Sequence, residues 1–173
     1  MEISIHSLLM GATRATGTGA IIDVFRAFTT AAVDLANGAS KIVMVGTFEE
    51  ALALRDASSG HVCIGEVGGR AWRHQPPVSP LCGEAPDGFD FGNSPFEIST
   101  IDFRDKTIIQ RTSAGTQGIV TASRAKRLYA ASLVTAAGTV RALLSGSPDQ
   151  VSLYTLDEVA ERPRQSIEFR DND

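Results

Sequence analysis

Aromatic residues are scarce in this chain, at 6% against 43% hydrophobic residues overall. The core must therefore be built from aliphatic and small side chains. Abundant Ala, Gly, Ser and Thr favour close helix–sheet packing over an aromatic-rich β-sandwich. Cysteine is nearly absent: Cys63 and Cys82 lie in separate segments and match no zinc spacing, so both are read as reduced thiols. No apolar run reaches the ~18 residues of a membrane span. The opening Met1-Glu2-Ile3 lacks the basic and long apolar regions of a signal peptide. Together these absences give the expectation of a cytoplasmic protein with no membrane partner. Surplus positive charge is lacking too. A net charge of -4 argues against nucleic acid as a partner, while a local group of arginines could still draw in a small anion.

The stretch from Ala20 to Gly38 organises what is present. Its start is an apolar run interrupted only by Asp23, which suits a strand buried on both faces. The period then changes. Ala27, Ala31 and Leu35, with Phe28, Ala32 and Ala36, fall at helical spacing, and Asn37-Gly38 is a C-terminal stop. Asp23 and Arg26 thus sit at a strand-to-helix junction, where open α/β sheets bind ligands. They could form a structural ion pair that fixes the turn, or a metal or phosphate site.

The same unit recurs along the chain. Lys41 to Val45 reads as a strand, and Thr47 with Glu50 forms a capping box for a helix from Phe48 to about Ser58. His61 to Gly65 is the next strand, with Glu66 in the place that Asp23 holds after the earlier one. Residues 71–88, with Trp72, His74 and four prolines, read as a long lid-like loop. Asp90 then precedes Gly92-Asn93, and Ser94-Pro95-Phe96-Glu97 has the form of a capped helix start. Thr107 to Arg111 is a strand, and Thr112-Ser-Ala-Gly115-Thr116 leads into a helix from Gln117 to Arg124. Such a loop can wrap a phosphate with N–H groups and hydroxyls, or be an ordinary capped turn; it lacks the Walker lysine. Leu128 to Ser132 and Val151 to Thr155 are strands flanking a helix from Thr135 to about Leu144. The start of the chain, with alternating Ile3 and Ile5 and then Leu8 and Leu9, reads as a short edge strand, and Gly11 to Gly19 as a loop. The alternation predicts an α/β fold of three layers, a mostly parallel sheet with helices on both faces. One domain over residues 1–156 is followed by a charged tail, 157–173.

Asp23, Glu66 and Asp90 fall in loops beside strands, and three hard oxygen ligands suit Mg²⁺. Arg26, Asn93, Ser94, Thr112, Gly115 and Thr116 could hold phosphate beside it. That set points to metal-assisted hydrolysis of a phosphate ester. Asp23 could instead be a covalent nucleophile, although the D-x-D-x-T pattern of haloacid dehalogenases is missing.

Four ordered segments carry a resemblance: I-I-D-V-F-R-A-F-T-T-A-A-V-D-L-A-N-G-A, then G-E-V-G-G-R at 65–70, G-F-D-F-G-N-S-P at 88–95 and R-T-S-A-G-T-Q-G at 111–118. A fifth, L-Y-A-A-S-L-V-T-A-A-G-T-V, covers 128–140. Together they resemble the 2-phosphosulfolactate phosphatase family. The resemblance implies a Mg²⁺-dependent phosphatase that releases phosphate from 2-phospho-3-sulfolactate, a small anionic ester, in a step linked to coenzyme M synthesis. It also implies that Asp23, Glu66 and Asp90 are metal ligands or acid–base groups. Arg26, Asn93, Ser94, Thr112 and Thr116 would hold anionic groups of the substrate, with Arg70, Arg73 and Arg111 as further cations. Many relatives carry Asn where Ala114 stands, and they continue past the last strand with an acidic, Cys-containing helix. That helix is expected to be missing here, which would uncover apolar sheet surface and favour a homodimer. Two other functions fit the same residues: a phosphatase indifferent to the sulfonate, and a catalytically silent anion-binding or assembly protein.

Overall fold

Each apolar run of the sequence becomes a strand, in a computed structural model that describes residues 1–66 and 85–156. The elements in order are β1 (Glu2–Ser7), α1 (Leu8–Ala12), β2 (Thr18–Ile22), α2 (Ala27–Ala36), β3 (Lys41–Met44), α3 (Phe48–Asp56) and β4 (His61–Gly65). Then come β5 (Phe91–Gly92), α4 (Pro95–Ile98), β6 (Thr107–Arg111), α5 (Gly115–Thr121), β7 (Arg127–Ala131), α6 (Ala136–Ser145) and β8 (Gln150–Thr155). Most of the expected lid-like loop and the whole charged tail lie outside the described residues.

The strands pair only in parallel, as strand–helix alternation requires. They form two sheets of four, in the orders β1-β8-β2-β7 and β3-β6-β4-β5. The architecture is α/β in layers, as the sequence predicts, but the single expected sheet is divided. Helix α5 makes the division workable, because it packs on β2 and β7 of the first sheet and on β3 of the second. Gly118 allows that approach: a side chain there would meet Ile21 and Leu156. Around α5, Ile21, Ala27, Phe28, Ala122 and Tyr154 share one cluster with Met44 of β3.

The second sheet is covered on both faces. Ile42, Val62, Ile64 and Ile108 pack with Ile98 and Phe103, while Val43, Cys63 and Ile109 face Ala51 and Phe48 of α3. Such alternation along each strand is the period-two pattern of a pleated sheet. Phe28 and Phe103 are each 1% exposed, and burying one such ring contributes roughly 2–3 kcal/mol. The first sheet is less covered. Leu143 of α6 packs on Ala20, Ala131 and Val151, while Ile3 and Ile5 of the edge strand β1 remain 57% and 71% exposed. Among the described residues, no helix is long and apolar enough to cross a membrane.

Two local expectations fail. Residues 8–12 form a helix where the sequence places residues 8 and 9 with the edge strand, and no side chain caps its start. Helix α5 begins at Gly115, two residues before the expected Gln117. The cause is a reciprocal pair: Thr116 Oγ1 accepts from the Thr112 N–H at 2.8 Å, and Thr112 Oγ1 accepts from the Thr116 N–H at 3.1 Å. Those bonds wind the end of the loop into the first helical turn.

Candidate active site

The carboxyl ends of the strands from both sheets open onto one cleft of about 490 Å³. Its walls are Asp23, Val24, Phe25 and Arg26 after β2, Glu66 after β4, Asn93 after β5, Thr112 and Ala114 after β6, and Leu156 after β8. Parallel pairing accounts for the convergence. Gly65 is the register partner of both Gly92 and Arg111, so Glu66, Asn93 and Thr112 emerge side by side. Ile22 pairs with Thr155, so Asp23 and Leu156 emerge together from the first sheet.

Asp23 and Glu66 are nearly sealed, at 8% and 9% exposed. The Asp23 N–H donates to the Ala131 carbonyl at 2.9 Å. Gly115 leaves room for its carboxylate: a Cβ there would lie 2.9 Å from Asp23 Oδ2 and 2.7 Å from the Ala27 Cβ. Glu66 is clamped at three points. Its N–H donates to the Arg111 carbonyl at 3.0 Å, its carbonyl accepts from Arg111 Nη1 at 2.9 Å, and its Oε1 accepts from the Ser113 N–H at 2.8 Å. Burying two carboxylates in one cleft is costly unless cationic or N–H groups answer them.

Arg26 is the one cationic side chain lining the cleft among the described residues. Its backbone has φ 83° and ψ -66°, the dihedrals of a γ-turn with positive φ, which a non-glycine residue adopts only under strain. The strain aims the chain sharply from β2 into α2. Gln110, fully buried, fixes the start of that helix by donating from Nε2 to the Ala27 carbonyl at 2.8 Å. Gln117 braces the neighbouring loop through Nε2, which donates to the carbonyls of Gly46 and Thr112 at 2.9 and 3.0 Å.

Of the residues singled out from the sequence, Asp23, Glu66, Arg26, Asn93 and Thr112 line the cleft. Ser94, Gly115 and Thr116 support it instead. The Ser94 hydroxyl accepts from the Glu97 N–H at 3.4 Å as a helix cap, and the Thr116 hydroxyl is fully buried in its exchange with Thr112. Asp90 does not join the other two carboxylates. It is exposed, and its Oδ2 accepts from the Cys63 N–H, in the middle of β4, at 2.7 Å. The reason is register: Asp90 precedes β5, while Asn93 follows it. Three residues of strand place the Asp90 backbone about 10 Å from the strand's carboxyl end. Accordingly, no group of three His, Cys, Asp or Glu that could hold a metal occurs among the described residues. Arg70, Arg73 and His74 lie outside those residues. Cys63 is no nucleophile, since burial pushes its thiol up to about 12.

Val24, Phe25, Ala114 and Leu156 were not singled out from the sequence as wall residues. Their signal was available in the rule that ligands meet the carboxyl ends of parallel strands, since each lies just past such an end. Ser113 and Gln110 could be found only with register in hand.

The pattern of the 2-phosphosulpholactate phosphatase family matches residues 6–158, a span that takes in every residue of this cleft. The chain belongs to that family. Curated relatives agree. The chain is 35% identical over 128 residues to the "Probable 2-phosphosulfolactate phosphatase" of Thermotoga petrophila, which covers 74% of this chain and 49% of the relative. Proteins of the same name from Bacillus subtilis and Carboxydothermus hydrogenoformans are 36% and 37% identical, over 63% and 76% of this chain and 42% and 48% of theirs. The chain thus matches about half the length of each of these relatives. Within the 2-phosphosulpholactate phosphatase family match, the cleft unites residues from four of the five resemblance segments.

Proposed function

We propose that this chain hydrolyses a small phosphate monoester in the cleft, with 2-phosphosulfolactate as substrate. The observation that carries the reading is the meeting of two buried carboxylates, Asp23 and Glu66, and Arg26 in one cleft at the strand ends of a chain in this family. The donor set fits a hard divalent cation such as Mg²⁺. Two carboxylates supply the charge, and the Asn93 amide oxygen is buried without a hydrogen-bond partner among the described residues. A cation bound there supplies Lewis-acid polarisation of the phosphoryl group.

The chain's own residues account for the rest. Arg26 offers planar donors to phosphate oxygens, and Thr112 and Ala114 line the same cleft. Asp23 would take a proton from an attacking water or attack phosphorus itself. Val24, Phe25 and Leu156 supply the apolar part of the cleft wall.

The test is phosphate release from 2-phosphosulfolactate and from the analogue lacking the sulfonate. A site built for the sulfonate loses kcat/KM by about 100-fold or more without it, because its donors are left unpaired. Equal rates would mark a phosphatase indifferent to the sulfonate. A folded protein that releases no phosphate from either ester would contradict the hydrolase reading.

A further inference from the structure

We infer that Asn93 is a direct ligand, through Oδ1, of a divalent cation held with Asp23 and Glu66. The inference deepens the phosphatase reading, and rests on it only for the expectation of a cation. Asn93 is 4% exposed, lines the cleft, and its Oδ1 is buried with no hydrogen-bond partner among the described residues. An amide oxygen in that condition wants a positive group, and native interiors rarely leave one without. The nearby fixed donors are directed elsewhere. The Gly92 N–H donates to Glu97 Oε2 at 3.1 Å, the Ser113 N–H to Glu66 Oε1, and Arg111 Nη1 to the Glu66 carbonyl.

Placement agrees. Gly65 and Gly92 are register partners, so Glu66 and Asn93 leave adjacent parallel strands at the same level, about 4.8 Å apart. Asn93 is also rigid, being held between β5 and the capped start of α4. A hard cation accepts amide oxygen as readily as carboxylate oxygen, and keeps its other positions for water and substrate. Charge gives the reason for a neutral third ligand. Two carboxylates, a divalent cation and the Arg26 guanidinium leave the site with one net positive charge to attract an anionic ester. A third carboxylate would cancel that charge. Asn93 therefore takes the ligand position that the sequence assigns to Asp90.

The full-length chain, free of substrate, is titrated with Mn²⁺ by calorimetry and by loss of the free-ion EPR signal. The wild type is expected to bind one Mn²⁺. Asn93→Ala is expected to weaken binding by about 10-fold or more, and Asn93→Asp to bind at least as tightly as wild type. A smaller loss in Asn93→Ala, or no Mn²⁺ binding by the wild type, overturns the assignment. Should Asn93→Ala fail to fold by circular dichroism, Asn93→Asp decides: wild-type or tighter affinity supports the assignment, and weaker affinity overturns it. The outcome is separable from the phosphatase reading. A wild type whose Mn²⁺ binding depends on Asn93, yet which releases no phosphate, keeps the ligand and discards the reaction.

Discussion

Asp34 is the residue least at ease with its surroundings. It lies in α2, is fully buried, and neither carboxylate oxygen has a hydrogen-bond partner among the described residues. Burial pushes its pKa up from 3.8 to about 7. The folded protein therefore holds a proton that the unfolded chain releases near pH 4. Between about pH 4 and pH 7 the native state binds more protons, so stability falls as pH rises; above pH 7 the penalty is complete. About three pKa steps set an upper bound of roughly 4 kcal/mol. Urea unfolding at a series of pH values should show that decline in the wild type, and Asp34→Asn should flatten it. Equal slopes in the two proteins would contradict this account. Sequence could not single out Asp34, because its position among Ala31, Ala32, Leu35 and Ala36 gives no sign that it faces inward. Asp23 and Arg26 were legible for the opposite reason: they interrupt an apolar run at its end, where burial and ligand binding coincide.

At the scale of elements, two glycines inside helices behave in opposite ways. Gly115 opens α5 against the Ala27 Cβ, which is fixed to its backbone, and against the Asp23 carboxylate. Gly138 in α6 faces open space, with only Arg141 Nη2 at 4.0 Å from a built Cβ. Gly115→Ala should destabilise the protein by about 1–3 kcal/mol through overpacking. Gly138→Ala should stabilise it by roughly 0.5–1 kcal/mol through helix propensity alone. Thermal unfolding of the pair checks both signs; the same sign in both would show that α5 does not approach Ala27 and Asp23 as described. Helix starts with side-chain caps were readable from sequence. Thr47 accepts from the Glu50 N–H at 3.1 Å and Ser94 caps α4, as their spacing predicts. The starts of α1 and α5 were not, since neither helix has a side-chain cap bond at its own N-cap residue.

For the whole molecule, parallel α/β order followed from strand–helix alternation, because each βα step brings the next strand back in the same direction. The division into two sheets did not. Nothing in the length or apolarity of β2 or β3 says that a helix of small residues will stand between them. That packing emerges only when Gly118 meets Ile21 across the gap. Position relative to a strand's end explains which site residues were legible. Asp23, Glu66, Asn93 and Thr112 each follow a strand, so they converge whether the sheets are one or two. Asp90 precedes its strand, and the two-residue β5 gave no periodic signal to reveal that.

The central claim is that the cleft uniting the two sheets is a phosphatase site served by Asp23. The most direct measurement is phosphate release from 2-phosphosulfolactate with and without Mg²⁺, for the wild type and Asp23→Asn. The account predicts Mg²⁺-dependent release by the wild type and a loss of at least 100-fold in kcat for the folded variant, the scale of removing a general base or nucleophile. Equal turnover by Asp23→Asn, or release indifferent to Mg²⁺ and to the substitution, would contradict it.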